Sequence, residues 1–366
     1  MSVKRLLCLV SAMNTGGAET FLMKLYRKLD KTKYQMDFCV NDPKKGFYDD
    51  EIRSMGGKIY VIPCKSESVK HFTEGLSQIV KQNHYEYVLR ITSNAMGFYD
   101  LKVAKKSGAK KCIARSSNSS DGNGLKSKLA HGVGRILYEG NVDVKIAPSD
   151  LAAKYTFGKK EYEKGHVKIL HNAIDLNCFR FSEKSRTDIR HELYIPDDAF
   201  VVGHIGRFSE QKNHLFLLDN FACIAKKRPD AYLILVGDGE RKEQIREKVK
   251  KIDLENRVIF TGVRGDVPAL LSAFDVFLFP SLYEGMPNTV IEAQATGLPC
   301  VISDTITKEA DITGLVQYIP LTASPEEWAK KAIDCVSQER MDTKEDFLRE
   351  KYDIASVVEE FVRLCF

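Results

Sequence analysis

Apolar positions along the chain follow two alternating patterns: short runs rich in Val, Ile and Leu, and longer stretches with apolar residues three and four apart. That alternation is the rhythm of βα units wound around a parallel sheet. In the first half it predicts strands at residues 5–10, 35–40, 58–62, 87–91, 111–114 and 144–147. The rhythm then restarts, with strands predicted at 200–205, 231–236, 257–261, 276–279, 300–303 and 316–319. The simplest account is an α/β chain of two Rossmann-like halves. Between them lies Leu170-His171-Asn172-Ala173-Ile174-Asp175, followed by a polar stretch to about residue 198 that suits a linker. Ser324-Pro325-Glu326-Glu327 combines a capping serine, a first-turn proline and a glutamate at the third position, so a helix starts there. A second helix is predicted after Asp353, where Ile354, Val357, Val358, Phe361 and Cys365 share one face.

With 366 residues, 43% hydrophobic and 29% charged, the chain is long enough for two packed domains and is not a disordered polymer. No apolar run approaches the roughly 18 to 20 residues that cross a bilayer, and residues 4–10 are too short for a signal peptide, so a cytoplasmic address is expected. Nine cysteines without a C-x-x-C pair read as reduced core residues, with burial expected for Cys64, Cys112 and Cys300. Charge divides unevenly. Residues 1–170 carry 30 Lys and Arg against 17 Asp and Glu, a net of +13, whereas the remainder carries 25 against 33. A basic first half points to anionic lipid, phosphate or nucleic acid nearby.

Candidate chemistry concentrates in three segments. Residues 279–293 read as a strand end, a Gly/Pro loop and a helix start, and Asn288 as that helix's cap would turn the amides of Thr289 and its neighbours toward an anion. Glu284 and Glu292 straddle that site, and carboxylates accept from diols; a nucleoside diphosphate sugar has hydroxyls on both sides of its phosphates. Two solvated charges on a loop and a helix are the plainer alternative. Residues 201–213 leave a strand through Gly206 and offer Arg207 and Lys212 to a diphosphate, or to surface ion pairs worth little. Near the N-terminus, Gly16 and Gly17 permit close approach of a ligand to backbone amides at a helix start.

Gly16-Gly17-Ala18-Glu19, Gly206-Arg207-Phe208 with Lys212-Asn213, Gly237-Asp238-Gly239, Gly262-Val263-Arg264 with Asp266-Val267-Pro268, and the Glu284/Glu292 pair together resemble retaining GT-B glycosyltransferases of family four. The likeness is greatest to the branch that builds bacterial capsular and exopolysaccharides. It is continuous over about residues 165–305 and thinner before them. It implies two Rossmann-like domains facing each other across a cleft: an acceptor-binding domain at 1–172, with a helix at 352–366 packing back on it, and a nucleotide-sugar-binding domain at 173–351. It further implies transfer of a hexose or N-acetylhexosamine from a nucleotide sugar, most simply a UDP sugar, to a polyprenyl-diphosphate-linked or glycan acceptor. By resemblance, Arg207 and Lys212 neutralise the departing diphosphate, helped by the Gly17 amide, and Gly206 lines the same turn. Glu284 holds donor-sugar hydroxyls in a pocket lined by Gly285, Met286, Pro287, Asn288 and Thr289. Glu292 accepts from the ribose, and the backbone at Val263 and Arg264 meets the base. Neither cofactor nor metal is expected: two cations and aligned amides suit the growing negative charge, and the chain has no D-x-D triplet.

Two segments depart from the family pattern. Arg115 and Ser117 stand where close relatives carry histidine, leaving Arg115 and Asn118 as acceptor-side candidates, with Asn118 equally an ordinary loop residue. His171 and Ala173 replace a proline and a glycine, and His171 reads as a packing residue near the linker. The basic run Lys102, Lys105, Lys106, Lys110, Lys111, Arg115, Lys126, Lys128 and Arg135 suits the inner face of an anionic membrane or a merely solvated surface. It lacks the aromatics and signatures of a nucleic-acid binder. A sugar-nucleotide epimerase and a non-catalytic nucleotide-sugar-binding subunit are the alternatives. A dehydrogenase is disfavoured, because Gly237-Asp238-Gly239-Glu240 lacks the third glycine of a dinucleotide fingerprint.

Overall fold

Every predicted run is a strand. In the first half these are β1 (Lys4–Leu9), β2 (Tyr34–Val40), β3 (Ile59–Val61), β4 (Tyr87–Thr92), β5 (Lys111–Ser116) and β6 (Val144–Ala147). The sequence rhythm misses β7 (Val167–Ile169), a three-residue edge strand whose middle residue is Lys168. In the second half, β8 (Val201–Ile205), β9 (Tyr232–Val236), β10 (Val258–Gly262), β11 (Val276–Phe279), β12 (Cys300–Ser303) and β13 (Val316–Ile319) follow the prediction. The computed structural model describes residues 3–14, 16–117, 125–337 and 339–366, with 125–127 described by backbone alone. The chain divides into one unit of Met1–Ala173 with Lys351–Phe366 and another of Ile174–Glu350.

The first unit's sheet runs β3-β2-β1-β4-β5-β6-β7, and the second unit's runs β10-β9-β8-β11-β12-β13. All pairings are parallel, from Lys4↔Tyr34 to Ser303↔Ile319. In both, strand order reverses beside the first strand, between β1 and β4 and between β8 and β11. At such a switch point, loops at the carboxyl ends of two strands diverge and leave a crevice for ligands.

Strand β1 shows why the sheets are buried on both faces. Leu6 and Cys8 enter one core with Phe21, Leu25, Val357 and Phe361, whereas Leu7 and Leu9 enter the opposite core with Leu76, Val80 and Leu101. The first core is therefore closed by helices Gly17–Lys28 and Ile354–Cys365, and the second by Val69–Gln82 and Phe98–Lys106. In the second unit, Val202, Leu233 and Leu278 pack with Leu217, Phe221 and Trp328. Each such side chain contributes about 1.5–3 kcal/mol on burial. Trp328 is fully buried and its indole N–H donates to the Pro320 carbonyl at 3.1 Å.

The C-terminal helices begin as their sequences predict. Ser324 Oγ accepts from the Glu327 amide at 3.3 Å while the Glu327 carboxylate accepts from the Ser324 amide at 3.1 Å, a complete capping box. Asp353 caps helix Ile354–Cys365 by accepting from the Ser356 amide. Phe366, the residue after that helix, sets its ring 4.7 and 5.5 Å from those of Tyr34 and Tyr87. No disulfide forms among the described residues. Cys112 and Cys300 are buried, but Cys64 is only half-buried, because β3 ends at Val61 and leaves Cys64 in the following turn. No helix among the described residues is long and apolar enough to cross a membrane.

Candidate active site

In the second unit the loops following β8, β9 and β10 are stitched together by backbone. Gly206 N donates to Val236 O, Gly237 N to Gly262 O, and Phe208 N to Asp238 O. Gly237 has φ +137°, and a Cβ there would lie 2.1 Å from the Gly206 carbonyl oxygen. Only glycine suits that position. The loop after β11 is tied to the same edge, since Leu282 N donates to Gln211 O and Gln211 Nε2 donates to Tyr283 O.

These ties bring together two residues far apart in sequence. Lys212 Nζ lies 2.7 Å from Glu284 Oε1 and 4.5 Å from the centre of the Phe279 ring. The side chains are 17% and 9% exposed, so the pair is largely out of water and its attraction is strengthened accordingly. Behind it, His204 and His214 form a buried T-shaped pair with centroids 4.7 Å apart. His204 Nδ1 donates to Leu278 O at 2.9 Å. Burial holds both rings neutral: His204 is pushed well down, and His214 down to about 4, with Lys212 adding to the shift in each.

The other predicted donor-side residues occupy the same sheet edge with different surroundings. Arg207 is mostly exposed, and its guanidinium pairs with Glu240 at 3.1 Å rather than with the Lys212–Glu284 pair. Gly285, Met286 and Thr289 are half-buried and Pro287 is buried. Helix Asn288–Ala295 starts one residue earlier than a cap at Asn288 requires. Pro287 occupies the cap position, and no side chain caps the helix, since proline has no side-chain acceptor to offer. Glu292 is half-buried one turn into that helix. Val263 is exposed beyond β10. The Arg264 guanidinium is held by Asp266 at 2.6 Å and Glu192 at 2.5 Å, which leaves its backbone as the part available to a ligand.

At the first unit's switch point a cavity of about 450 Å³ opens beyond β1, β4 and β5. Glu19, Lys65, Arg90, Thr92, Asn94 and Ser117 are among its lining residues. Lys65 is hydrogen-bonded to Asp100, and Arg90 Nε lies 3.0 Å from the other oxygen of that carboxylate, which is 1% exposed. Two cations thus share one buried anion. Burial raises the Glu19 acid and lowers the Lys65 ammonium, the latter opposed by Asp100. Gly16 precedes helix Gly17–Lys28, and a Cβ on Gly16 would meet the Glu19 carboxylate at 2.3 Å. Sequence reasoning singles out the glycine turn but misses Lys65, Arg90 and Asp100. A signal was present: Arg90 interrupts the apolar strand β4 of a sheet covered on both faces, where a charge must be paired.

Other first-half expectations change. Arg115 is 2% exposed, with its guanidinium 3.7 Å from the Phe21 ring centre and its Nη2 donating to Asn172 at 2.7 Å. It belongs to the core of the unit, not to an acceptor-facing surface. β5 points it inward, and burial lowers its pKa. Asn118 lies outside the described residues. His171 stacks on Tyr352 with ring centres 4.0 Å apart. The basic run does not form one free face either. Lys105 pairs with Asp143 and Lys110 with Glu86, both at 2.5 Å, and Arg135 is half-buried against Gly158. Among the described residues no group of three or more His, Cys, Asp or Glu side chains is placed to hold a metal ion.

Two doubly wound parallel sheets in succession are the architecture of GT-B glycosyltransferase structures. The chain belongs to the glycosyl transferases group 1 family, whose model matches residues 199–338. It is 36% identical over 356 residues to a Bacillus subtilis (strain 168) protein named as glycosyltransferase EpsF, covering 95% of this chain and 91% of that one. Over 142 residues it is 34% identical to the Escherichia coli UDP-Gal:alpha-D-GlcNAc-diphosphoundecaprenol alpha-1,3-galactosyltransferase, covering 38% of this chain and 36% of that enzyme. Among solved structures, Anabaena HepE in complex with UDP matches with TM-score 0.78 and 18% identity over 99% of both chains, a likeness of fold. The chain is thus a group 1 glycosyltransferase of polysaccharide or glycolipid biosynthesis.

Proposed function

We propose that the protein is a retaining, metal-independent transferase. It moves a hexose or N-acetylhexosamine from a UDP sugar to a lipid-linked or oligosaccharide acceptor in cell-surface polysaccharide synthesis, at the cytoplasmic face of the membrane. The observation that carries this reading is the Lys212–Glu284 pair, a largely desolvated ammonium and carboxylate fixed at the switch point of the second sheet. Its support from relatives is the E. coli enzyme's UDP-galactose donor and diphosphoundecaprenol acceptor, and the UDP held by HepE.

In this reading the donor diphosphate takes Lys212 from Glu284 and draws Arg207 from Glu240. The freed Glu284 accepts from hydroxyls of the donor sugar. The first amides of helix Asn288–Ala295 face the phosphates, Glu292 accepts from the ribose diol, and the backbone at Val263 and Arg264 meets the base. When the bond from sugar C1 to the β-phosphate oxygen breaks, its electrons stay on that oxygen, where Lys212 and Arg207 meet the growing charge. The acceptor oxygen bonds C1 on the same face, and its proton passes to the departing phosphate. The first unit's cavity takes the acceptor sugar, with Glu19, Asn94 and Arg90 positioned for its hydroxyls.

The test is a panel of nucleotide sugars offered with a polyprenyl-diphosphate sugar, in buffer with and without EDTA. Acceptor-dependent release of UDP, a product anomer matching the donor, and indifference to EDTA are expected. Inversion at C1, loss of activity on chelation, or preference for another nucleotide would each overturn the corresponding part.

A further inference from the structure

Strand β4 carries a charge into a sheet covered on both faces, and the first unit leaves that charge only partly used. The Arg90 side chain is 15% exposed and lines the cavity of about 450 Å³ beyond β1, β4 and β5. Its Nε lies 3.0 Å from Asp100 Oδ2, but the two are misaligned for a hydrogen bond, and the guanidinium donates none among the described residues. Lys65, on the turn after β3, lines the same cavity, holds the other Asp100 oxygen and keeps its ammonium 5.1 Å from the centre of the Phe72 ring. Asp100 stands in the first turn of helix Phe98–Lys106, where the positive helix end already balances part of its charge. Glu19, the acid among the lining residues, pairs with neither cation among the described residues: its carboxylate folds over Gly16 at the start of its own helix. Two cations therefore share one acid behind them, and in a site largely shielded from water that surplus calls for an anion.

The surplus and the shape of the cationic wall select the ligand. A guanidinium fork binds a carboxylate through two parallel N–H···O bonds, and Arg90 has no such partner within the described fold. One net positive charge matches a carboxylate, whereas a phosphate monoester brings nearly two negative charges. The cavity's volume lies within the roughly 300–1,000 Å³ of small-molecule sites, so the carboxylate arrives attached to a body of sugar size, with Ser93, Asn94 and Ser117 lining the rest. We propose that the acceptor is an acidic sugar, a uronic acid residue or one bearing a carboxyalkyl group, whose carboxylate is gripped by the Arg90 fork and the Lys65 ammonium while Asp100 orients both from behind. This deepens the transfer reading above, on which it rests, by naming the class of acceptor. Arg90 and Lys65 are then specificity-determining residues: a neutral hexose of the same configuration would strip water from the cations without replacing it.

The experiment measures binding of methyl glycosides to the full chain saturated with UDP. The probes are methyl glucuronide, galacturonide and mannuronide, their methyl esters, which keep the shape and lose the charge, and glucose 6-phosphate. At least one uronide should bind about a hundredfold more tightly than its own ester, the scale of two charge-assisted hydrogen bonds. Arg90→Met should bring that uronide to the level of its ester, and Lys65→Met part of the way, with UDP affinity unchanged. Arg90→Lys, which keeps the charge without the fork, should lie between wild type and Arg90→Met. The ester comparison needs no substitution, so it decides the matter even where a variant of the strand-buried Arg90 fails to fold. Uronides that bind no better than their esters, or not at all, overturn the proposal. So does tighter binding of glucose 6-phosphate than of every uronide, which would assign the cations to a phosphate. Carboxylate-dependent binding by a chain that releases no UDP from any nucleotide sugar sinks the transfer reading and leaves the carboxylate site standing; turnover on neutral acceptors that is indifferent to Arg90→Met does the reverse.

Discussion

The switch points of the two sheets occupy equivalent places and are built differently. Between β8 and β11 the charged groups come from contiguous glycine-containing segments, and two of them, Lys212 and Glu284, meet in a pair fixed by the hydrogen bonds that tie Gln211 to Leu282 and Tyr283. Between β1 and β4 they come singly from separate elements: Lys65 from a turn, Arg90 from a strand and Asp100 from a helix, joined around one buried carboxylate. A ligand with a constant core, such as a nucleoside diphosphate, rewards a rigid edge specified by motif. A pocket assembled from dispersed side chains can change one residue at a time, which suits the partner that differs among enzymes of one family.

That contrast predicts where damage falls. The largest effect is expected from Lys212→Ala or Glu284→Ala, which should lower kcat at least a hundredfold, on the scale of losing one charge contact in the transition state, with an unchanged circular dichroism spectrum. Wild-type turnover in either variant would remove the pair from the chemistry. Next comes acid. His214 is neutral in the fold with a pKa of about 4, against roughly 6.5 when unfolded. The unfolded chain therefore binds the extra proton between those values. The stability is present in full above pH 6.5 and falls by about 3 kcal/mol as pH drops toward 4. His214→Phe should flatten that part of the urea-denaturation profile; an unaltered profile would show that the ring is not the group responsible. Gly237→Ala should cost about 2 kcal/mol by forcing a side chain into positive φ against the Gly206 carbonyl, read as an earlier unfolding transition of the second unit alone. The smallest effect belongs to the first unit. Lys65→Met should raise the acceptor KM about tenfold, roughly 1.4 kcal/mol, without altering UDP affinity. A change in UDP affinity there would erase the distinction between the two edges.

The sequence makes the second edge legible because its function is written in backbone. Gly206, Gly237 and the loop before Asn288 are punctuation that survives in a linear reading, and the strands between them are long enough to show their period. The Lys212–Glu284 contact itself is not readable, since nothing in a chain announces that residues so far apart will be hydrogen-bonded neighbours. The failures have local causes. Arg115 looks available for an acceptor because arginine favours surfaces, but β5 turns it inward onto Phe21. Asn288 looks like a cap, yet Pro287 takes that place. The basic run looks like one face because sequence shows cations without the acids that Asp143 and Glu86 bring to them. Arg90 alone could have been caught, as a charge in a strand covered on both sides.

The return of helix Ile354–Cys365 to the first unit fixes an order of assembly. Phe361 and Val357 finish a core that Phe21 and Leu25 began more than three hundred residues earlier in synthesis. The whole of Ile174–Glu350 must leave the ribosome in between. Until then the face of helix Gly17–Lys28 that this segment covers stays wet, so the nascent chain carries an open hydrophobic flank. Chaperones and proteases are expected to meet the first unit in that state, and the second unit already closed.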